Sequence, residues 1–268
     1  MRPGESFEQT IAIDGVARHY RLNIPSAASP GQRLPVVLNF HGRGSDAATQ
    51  LGYSGFSRVS ERQQFLLVTP DGSGAPRAWS AGATPPGDVD DVRFVASLLE
   101  RLDAELCVDR DRVYAVGFSN GGFFAALLGC KLSDRITAVA AVGGAQRPTA
   151  GCGGAVPFLA IHGTADSIVP FGGGTIRGRY PYPGARATNA DWAIANGCGG
   201  TPVLERVSAH VVRETVRGCV APVLLYVVDG GGHTWPGASD IPGLGPTTLE
   251  LNAAEVIWAF FSGAKSAR

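Results

Sequence analysis

The chain has 268 residues, 23 basic and 23 acidic, so its formal net charge is zero. No basic tract is available to meet phosphates, so a nucleic-acid partner is not expected. No apolar run approaches the roughly 20 residues that span a bilayer, so neither is a membrane. This length buries a large core in one domain, residues 1–268, without metals or a dense disulfide framework.

In chain order, SFEQTIAI and VARHYRLNI alternate in polarity about Asp14-Gly15, the pattern of a β-hairpin. PVVLNFHG and FLLVTPDG are continuous apolar runs, as in strands buried on both faces of a parallel sheet. DDVRFVASLLERLDAEL places Val92, Val95, Leu98, Leu99 and Leu102 on one helical face. Asp88, Asp90 and Asp91 lie where a helix dipole favours carboxylates. RVYAVGFS reads as a strand, GGFFAALLGCKL as a helix, and ITAVAAVGG and VPFLAIHG as strands. ATNADWAIANGC is helical, PVLLYVVDGG forms the last strand, and TLELNAAEVIWAFFSG the last helix. This alternation predicts an α/β fold: a mostly parallel central sheet with helices on both faces. Ligands then sit at the carboxyl ends of the strands.

Gly117-Phe118-Ser119-Asn120-Gly121 is a G-x-S-x-G pentapeptide between an apolar strand and a helix. A sharp turn there lifts a serine hydroxyl above the sheet and aims a helix N-terminus at it. The hydroxyl needs a base. Of the five histidines, His19 lies in the hairpin, His210 in a polar strand, and His41 and His162 at the ends of apolar strands. His233 lies in GGGHTWPG, read as a flexible loop after the last strand. The chain order serine, acid, histidine selects His233 as base. Asp166, just beyond VPFLAIHG, is the acid, with Asp134 and Asp229 as rivals.

An oxyanion hole is expected from the amide of Asn120 and from that of Arg43 in His41-Gly42-Arg43-Gly44. Trp79 and Trp235 fall in loops near strand ends, where they either stack on a sugar or aromatic acyl group or pack their loops. Trp192 and Trp258 read as core. No metal or cofactor is expected.

The five cysteines match no C-x-x-C metal pattern. Two bridges and one leftover thiol, hence an oxidising compartment, is the reading; free thiols in a cytosolic enzyme are its alternative. Cys198 with Cys219 would tie the flanks of a polar hairpin-like region. Cys130 with Cys152 is preferred, leaving Cys107 unpaired. MRPGESFEQT holds no apolar signal-peptide core, so no export signal is expected within this chain.

From Val36 onward, NFHGRGSDA, VTPDG, DDVRFVASLLERL, CVDRDRVYAVGFSNGGFFAALLGCKLSDR, FLAIHGTADSIVPFGGG and GGGHTWPG resemble a family of secreted α/β-hydrolase esterases. That family joins polyhydroxybutyrate depolymerases to feruloyl and acetylxylan esterases. The resemblance implies nucleophile Ser119, acid Asp166, base His233 and export with disulfides to a secreted or periplasmic location.

The leading expectation is an esterase releasing ferulic or acetic acid from plant-wall polysaccharide, acting as a monomer or weak dimer. The alternatives are a depolymerase of hydroxyalkanoate polyester or its oligomers, an acyltransferase, and a non-catalytic scaffold that binds glycan or protein.

Overall fold

The computed structural model describes residues 3–13, 15–81, 90–149 and 152–264; Asp14 and Asp88 of the sequence reading lie outside them. The hairpin is β1 (Ser6–Ile13) with β2 (Val16–Asn23), paired antiparallel. Then come β3 (Leu34–Phe40), α1 (Ala47–Ser54), α2 (Phe56–Gln63), β4 (Leu66–Pro70), α3 (Asp91–Glu105), β5 (Val108–Phe118) and α4 (Asn120–Lys131). The second half holds β6 (Ala138–Val142), β7 (Phe158–Gly163), a small ribbon of β8 (Gly174–Ile176) and β9 (Tyr180–Tyr182), and α5 (Ala185–Ala195). It ends with β10 (Pro202–Arg206), β11 (Val211–Val216), β12 (Val223–Val228) and α6 (Ala253–Gly263).

Ten strands form one sheet in the order β1-β2-β4-β3-β5-β6-β7-β12-β11-β10. The central strands, from β4 across to β12, are parallel. Antiparallel strands flank them on both sides. The apolar runs in the sequence are the parallel strands, and their side chains divide by parity between two cores. From β5, Val113 and Ala115 face α3, α4 and α5, while Tyr114 and Val116 face α2 and α6. Aromatic rings lock helices to strands: Trp192 stacks on Phe158 at 4.5 Å, and Phe261 on Tyr114 at 4.7 Å. This is the α/β-hydrolase architecture expected from the sequence.

Local chemistry sets the helix boundaries. The Asn252 side chain accepts the Glu255 N–H, so α6 starts at Ala253 and the preceding TLEL stays outside the helix. Asp90 caps α3 by accepting the Arg93 N–H at 3.0 Å. Asp91 does more than complement a dipole. It is buried, 2.7 Å from Arg18 of β2, and its second oxygen accepts the Ser80 N–H at 2.8 Å. That ion pair ties the hairpin and the loop before α3 to the helix start.

Two disulfides, Cys130–Cys152 and Cys198–Cys219, join the expected partners, and Cys107 is a free, exposed thiol. No helix among the described residues is long and apolar enough to cross a membrane.

Candidate active site

Ser119 sits between β5 and α4 with φ 52° and ψ −121°, a conformation costing about 1–3 kcal/mol for a residue with a side chain. Its surroundings enforce that turn. The Ser119 N–H donates to the Val142 carbonyl of β6 at 2.8 Å. Flanking glycines allow the strand, the helix and the next strand to close in. A Cβ at Gly117 would overlap the Gly121 carbonyl, and one at Gly121 would overlap the Phe40 carbonyl of β3. The hydroxyl is thereby presented, half-exposed, at the carboxyl rim of the parallel strands.

Asp166 follows β7 and is buried. Its Oδ1 accepts the N–H groups of Ile168 and Val169 at 2.9 and 2.8 Å, and its Oδ2 accepts His233 Nδ1–H at 2.7 Å. Burial alone would lift this carboxyl. Hydrogen bonds from His162, His233 and the Val169 amide outweigh it and hold Asp166 well below the usual carboxylate range. A carboxylate at Nδ1 favours the tautomer with its proton there, which in the neutral ring leaves Nε2 as an acceptor. The His233 ring lies against Phe118, the residue before the serine, with centroids 4.9 Å apart. No hydrogen bond joins the Ser119 hydroxyl to His233 in this geometry; packing brings the two into one neighbourhood.

The glycine-rich loop carrying His233 differs from the flexible loop expected. His233 and Trp235 are only 3% and 1% exposed. The His233 N–H donates to the Leu244 carbonyl at 2.6 Å, Gly232 N–H to Pro246 at 2.8 Å, and Trp235 N–H to the Tyr53 hydroxyl at 3.0 Å. The rival acids are elsewhere: Asp229 accepts from the Thr164 hydroxyl at 3.1 Å, and Asp134 is exposed in a turn after α4. His19 pairs with Thr10 and His210 with Glu250 on the surface.

The His41–Gly44 loop is set by His41, which is fully buried. Its Nε2 accepts the Gly72 N–H at 2.9 Å, so Nδ1 carries the proton and donates to the Gly42 carbonyl at 2.7 Å. Burial keeps this imidazole below its ordinary pKa, opposed by the Gly42 carbonyl and Asp71. Trp79 Nε1–H donates to the His41 carbonyl at 3.0 Å, and the Asn120 side chain grips the Trp79 backbone from the other side.

Trp79 and Trp235 therefore correct one branch of the sequence reading. Neither is an exposed stacking surface. Trp79, 4% exposed, stacks on Phe124 at 4.9 Å, and Trp235 packs edge-on against Phe56. An indole buries too much apolar area to stay in solvent when a core lies beneath its loop. Half-buried rings near this part of the rim are instead Phe123, one turn along α4 and 5.6 Å from Tyr182, and Tyr53, 5.7 Å from Phe118. Sequence reasoning also missed the structural parts of His41 and Tyr53, which act through distant loops, and of His162, whose contacts to Asp166 and Val169 depend on how the loop after β7 turns back.

No family model matches the chain. "Putative esterase NocK" of Nocardia uniformis subsp. tsuyamanensis is 30% identical, the match covering 94% of this chain and 81% of that protein. Feruloyl esterase D of Neurospora crassa is 27% identical over 94% of this chain and 84% of its own length. Feruloyl esterase B of Piromyces equi is 29% identical over 79% of this chain, which spans only 42% of that longer protein. Among solved structures, the acetyl xylan esterase from Aspergillus awamori superposes with a TM-score of 0.71 over 97% of this chain and 99% of its own. At 12% identity that likeness concerns the fold alone. The chain belongs to the esterase family that groups NocK with the feruloyl esterases in the α/β-hydrolase superfamily, and it is a carboxylic-ester hydrolase.

Proposed function

We propose that the protein is a feruloyl or acetylxylan-type esterase that works through Ser119, His233 and Asp166. The observation that carries this reading is the buried 2.7 Å hydrogen bond from His233 Nδ1 to Asp166, set beside a serine in a strained turn. In the proposed cycle, Ser119 Oγ attacks the ester carbonyl while its proton passes to His233 Nε2. The carbon–oxygen bond to the alcohol then breaks, and His233 returns the proton to the departing oxygen. Water repeats the sequence on the acyl-enzyme, releasing the acid and restoring the serine. The Ser–His hydrogen bond of such sites often tightens only when substrate is bound.

Developing charge on the carbonyl oxygen would be met by the amides of Arg43 and Asn120, each worth about 3–4 kcal/mol in such a role. Among the described residues neither amide donates to a protein acceptor, while the neighbouring Gly44 and Ser45 amides are taken by Arg77 and Gly42. The acyl preference rests on the relatives named feruloyl esterase and on the aromatic surface of Phe123 and Tyr53. Two disulfides favour a secreted or periplasmic location.

A parallel assay on methyl ferulate, acetylated xylan, hydroxybutyrate oligomers and p-nitrophenyl acetate tests both levels. Cleavage of either of the first two supports the substrate reading; turnover confined to hydroxybutyrate oligomers overturns it. Ser119→Ala should lower p-nitrophenyl acetate hydrolysis at least about 1,000-fold. A variant keeping a tenth of the wild-type rate would sink the nucleophile assignment. Asp166→Asn should be similarly damaging, and Asp229→Asn close to neutral.

A further inference from the structure

His162, the last residue but one of β7, is 2% exposed, yet it has no place in the cycle above. Its ring turns to the α4 and α5 face, with Phe171 edge-on at 5.7 Å and Tyr182 roughly parallel at 6.2 Å. Packing alone would be served there by phenylalanine. What a phenylalanine lacks is Nε2, which lies 2.8 Å from the Val169 carbonyl and 3.2 Å from Asp166 Oδ2. Both neighbours are acceptors, so Nε2 bears the proton and one N–H faces two oxygens.

The contacts close into a ring of short segments. Val169 gives its N–H to Asp166 Oδ1, while its carbonyl takes the N–H of His162. Asp166 Oδ2 is shared by two imidazoles, 3.2 Å from His162 Nε2 and 2.7 Å from His233 Nδ1. A carboxylate on a loop can rotate about its last bond; one gripped at both oxygens cannot.

We propose that His162 is a positioning residue for Asp166: its Nε2–H fixes the 163–169 loop through Val169 and holds the carboxylate aimed at His233. This rests on the assignment of Asp166 and His233 as acid and base. His162 touches neither substrate nor the reacting atoms. Its effect passes through the orientation of Asp166, and hence of the His233 ring, where a displacement of an ångström costs about 100-fold in rate.

The test compares His162→Phe, which keeps the ring packing and removes the donor, with His162→Gln, which restores an N–H at the same reach. Rates are referred to the amount of serine titrated by a fluorophosphonate probe, so that misfolded protein does not count. The expected result for His162→Phe is a kcat about 10- to 100-fold lower with KM within about twofold, and recovery of most of that loss in His162→Gln. In the proton spectrum, the far-downfield signal of His233 Nδ1–H should weaken or shift in His162→Phe and return in His162→Gln.

A His162→Phe enzyme with wild-type kcat and an unmoved downfield signal overturns the proposal, as does a glutamine variant no better than phenylalanine. Asp166→Asn, run alongside, separates the two levels. If it retains full activity, the acid itself is misassigned; if it is crippled while His162→Phe is not, only the positioning role fails. Should His162→Phe not fold, nitrogen-15 shifts of the wild-type histidines decide. A His162 found with a bare Nε2 excludes the role.

Discussion

The side-chain amide of Asn120 grips the backbone of Trp79 at both ends: Oδ1 accepts the Trp79 N–H at 2.7 Å, and Nδ2 donates to the Trp79 carbonyl at 3.0 Å. Asn120 is also the first residue of the helix that follows Ser119. In the proposed cycle its backbone would meet a developing oxyanion, while its side chain holds a loop in place.

Asn120→Ala removes both loop contacts while preserving the amide. Each lost hydrogen bond is worth about 1 kcal/mol, so a fall in kcat of up to about 30-fold is expected if the whole loss is felt in the transition state. Steady-state kinetics with p-nitrophenyl acetate provide the check. A variant within twofold of wild type would show that the Trp79 loop holds its place unaided.

His41 yields a prediction in pH. Its folded-state pKa lies below its ordinary value, so the folded protein favours the neutral ring. Above the unfolded value of about 6.5 this contribution to stability is fully present; it is lost as pH falls from there through the folded pKa. His41→Gln has no such proton to bind. The stability gap between wild type and His41→Gln should therefore be widest at pH 7–8 and narrow toward pH 5, as read by urea denaturation at each pH. A gap that widens in acid would mean that the sign is wrong.

Arg18 and Asp91 form an ion pair with side chains 3% and 1% exposed. Removing one partner strands the other charge in the core, so Asp91→Ala should cost about 3–5 kcal/mol. The Ser80 amide would lose its acceptor as well. Denaturant midpoints measure the loss. A cost under about 1 kcal/mol would place the pair among surface contacts in energetic terms.

The parallel strands were legible in the sequence because burial on both faces leaves unbroken apolar runs, α3 because its apolar positions recur on one face, and α4 because an apolar stretch directly follows the Ser119 turn. Helix α2 was not. Its FSRVSERQ is mostly polar, and it touches the core through Phe56 and Val59 after a left-handed turn at Gly55. The three-residue strands β8 and β9 are too short to show any period. In the site, chain order suggested Ser119, Asp166 and His233, because topology constrains which loops reach one rim. The grip of Asn120 on Trp79 and of Tyr53 on the Trp235 amide left no trace, since each joins residues 41 and 182 positions apart through tertiary packing.

All the parallel strands end at one rim, and the long connections over residues 164–184 and 229–252 leave from it. Away from Asp166 and His233, these stretches can be lengthened, trimmed or recoloured without disturbing the ten-stranded sheet. A lineage built on this frame can therefore trade one ester for another by redrawing its border, while the interior keeps the same architecture from one generation of enzymes to the next.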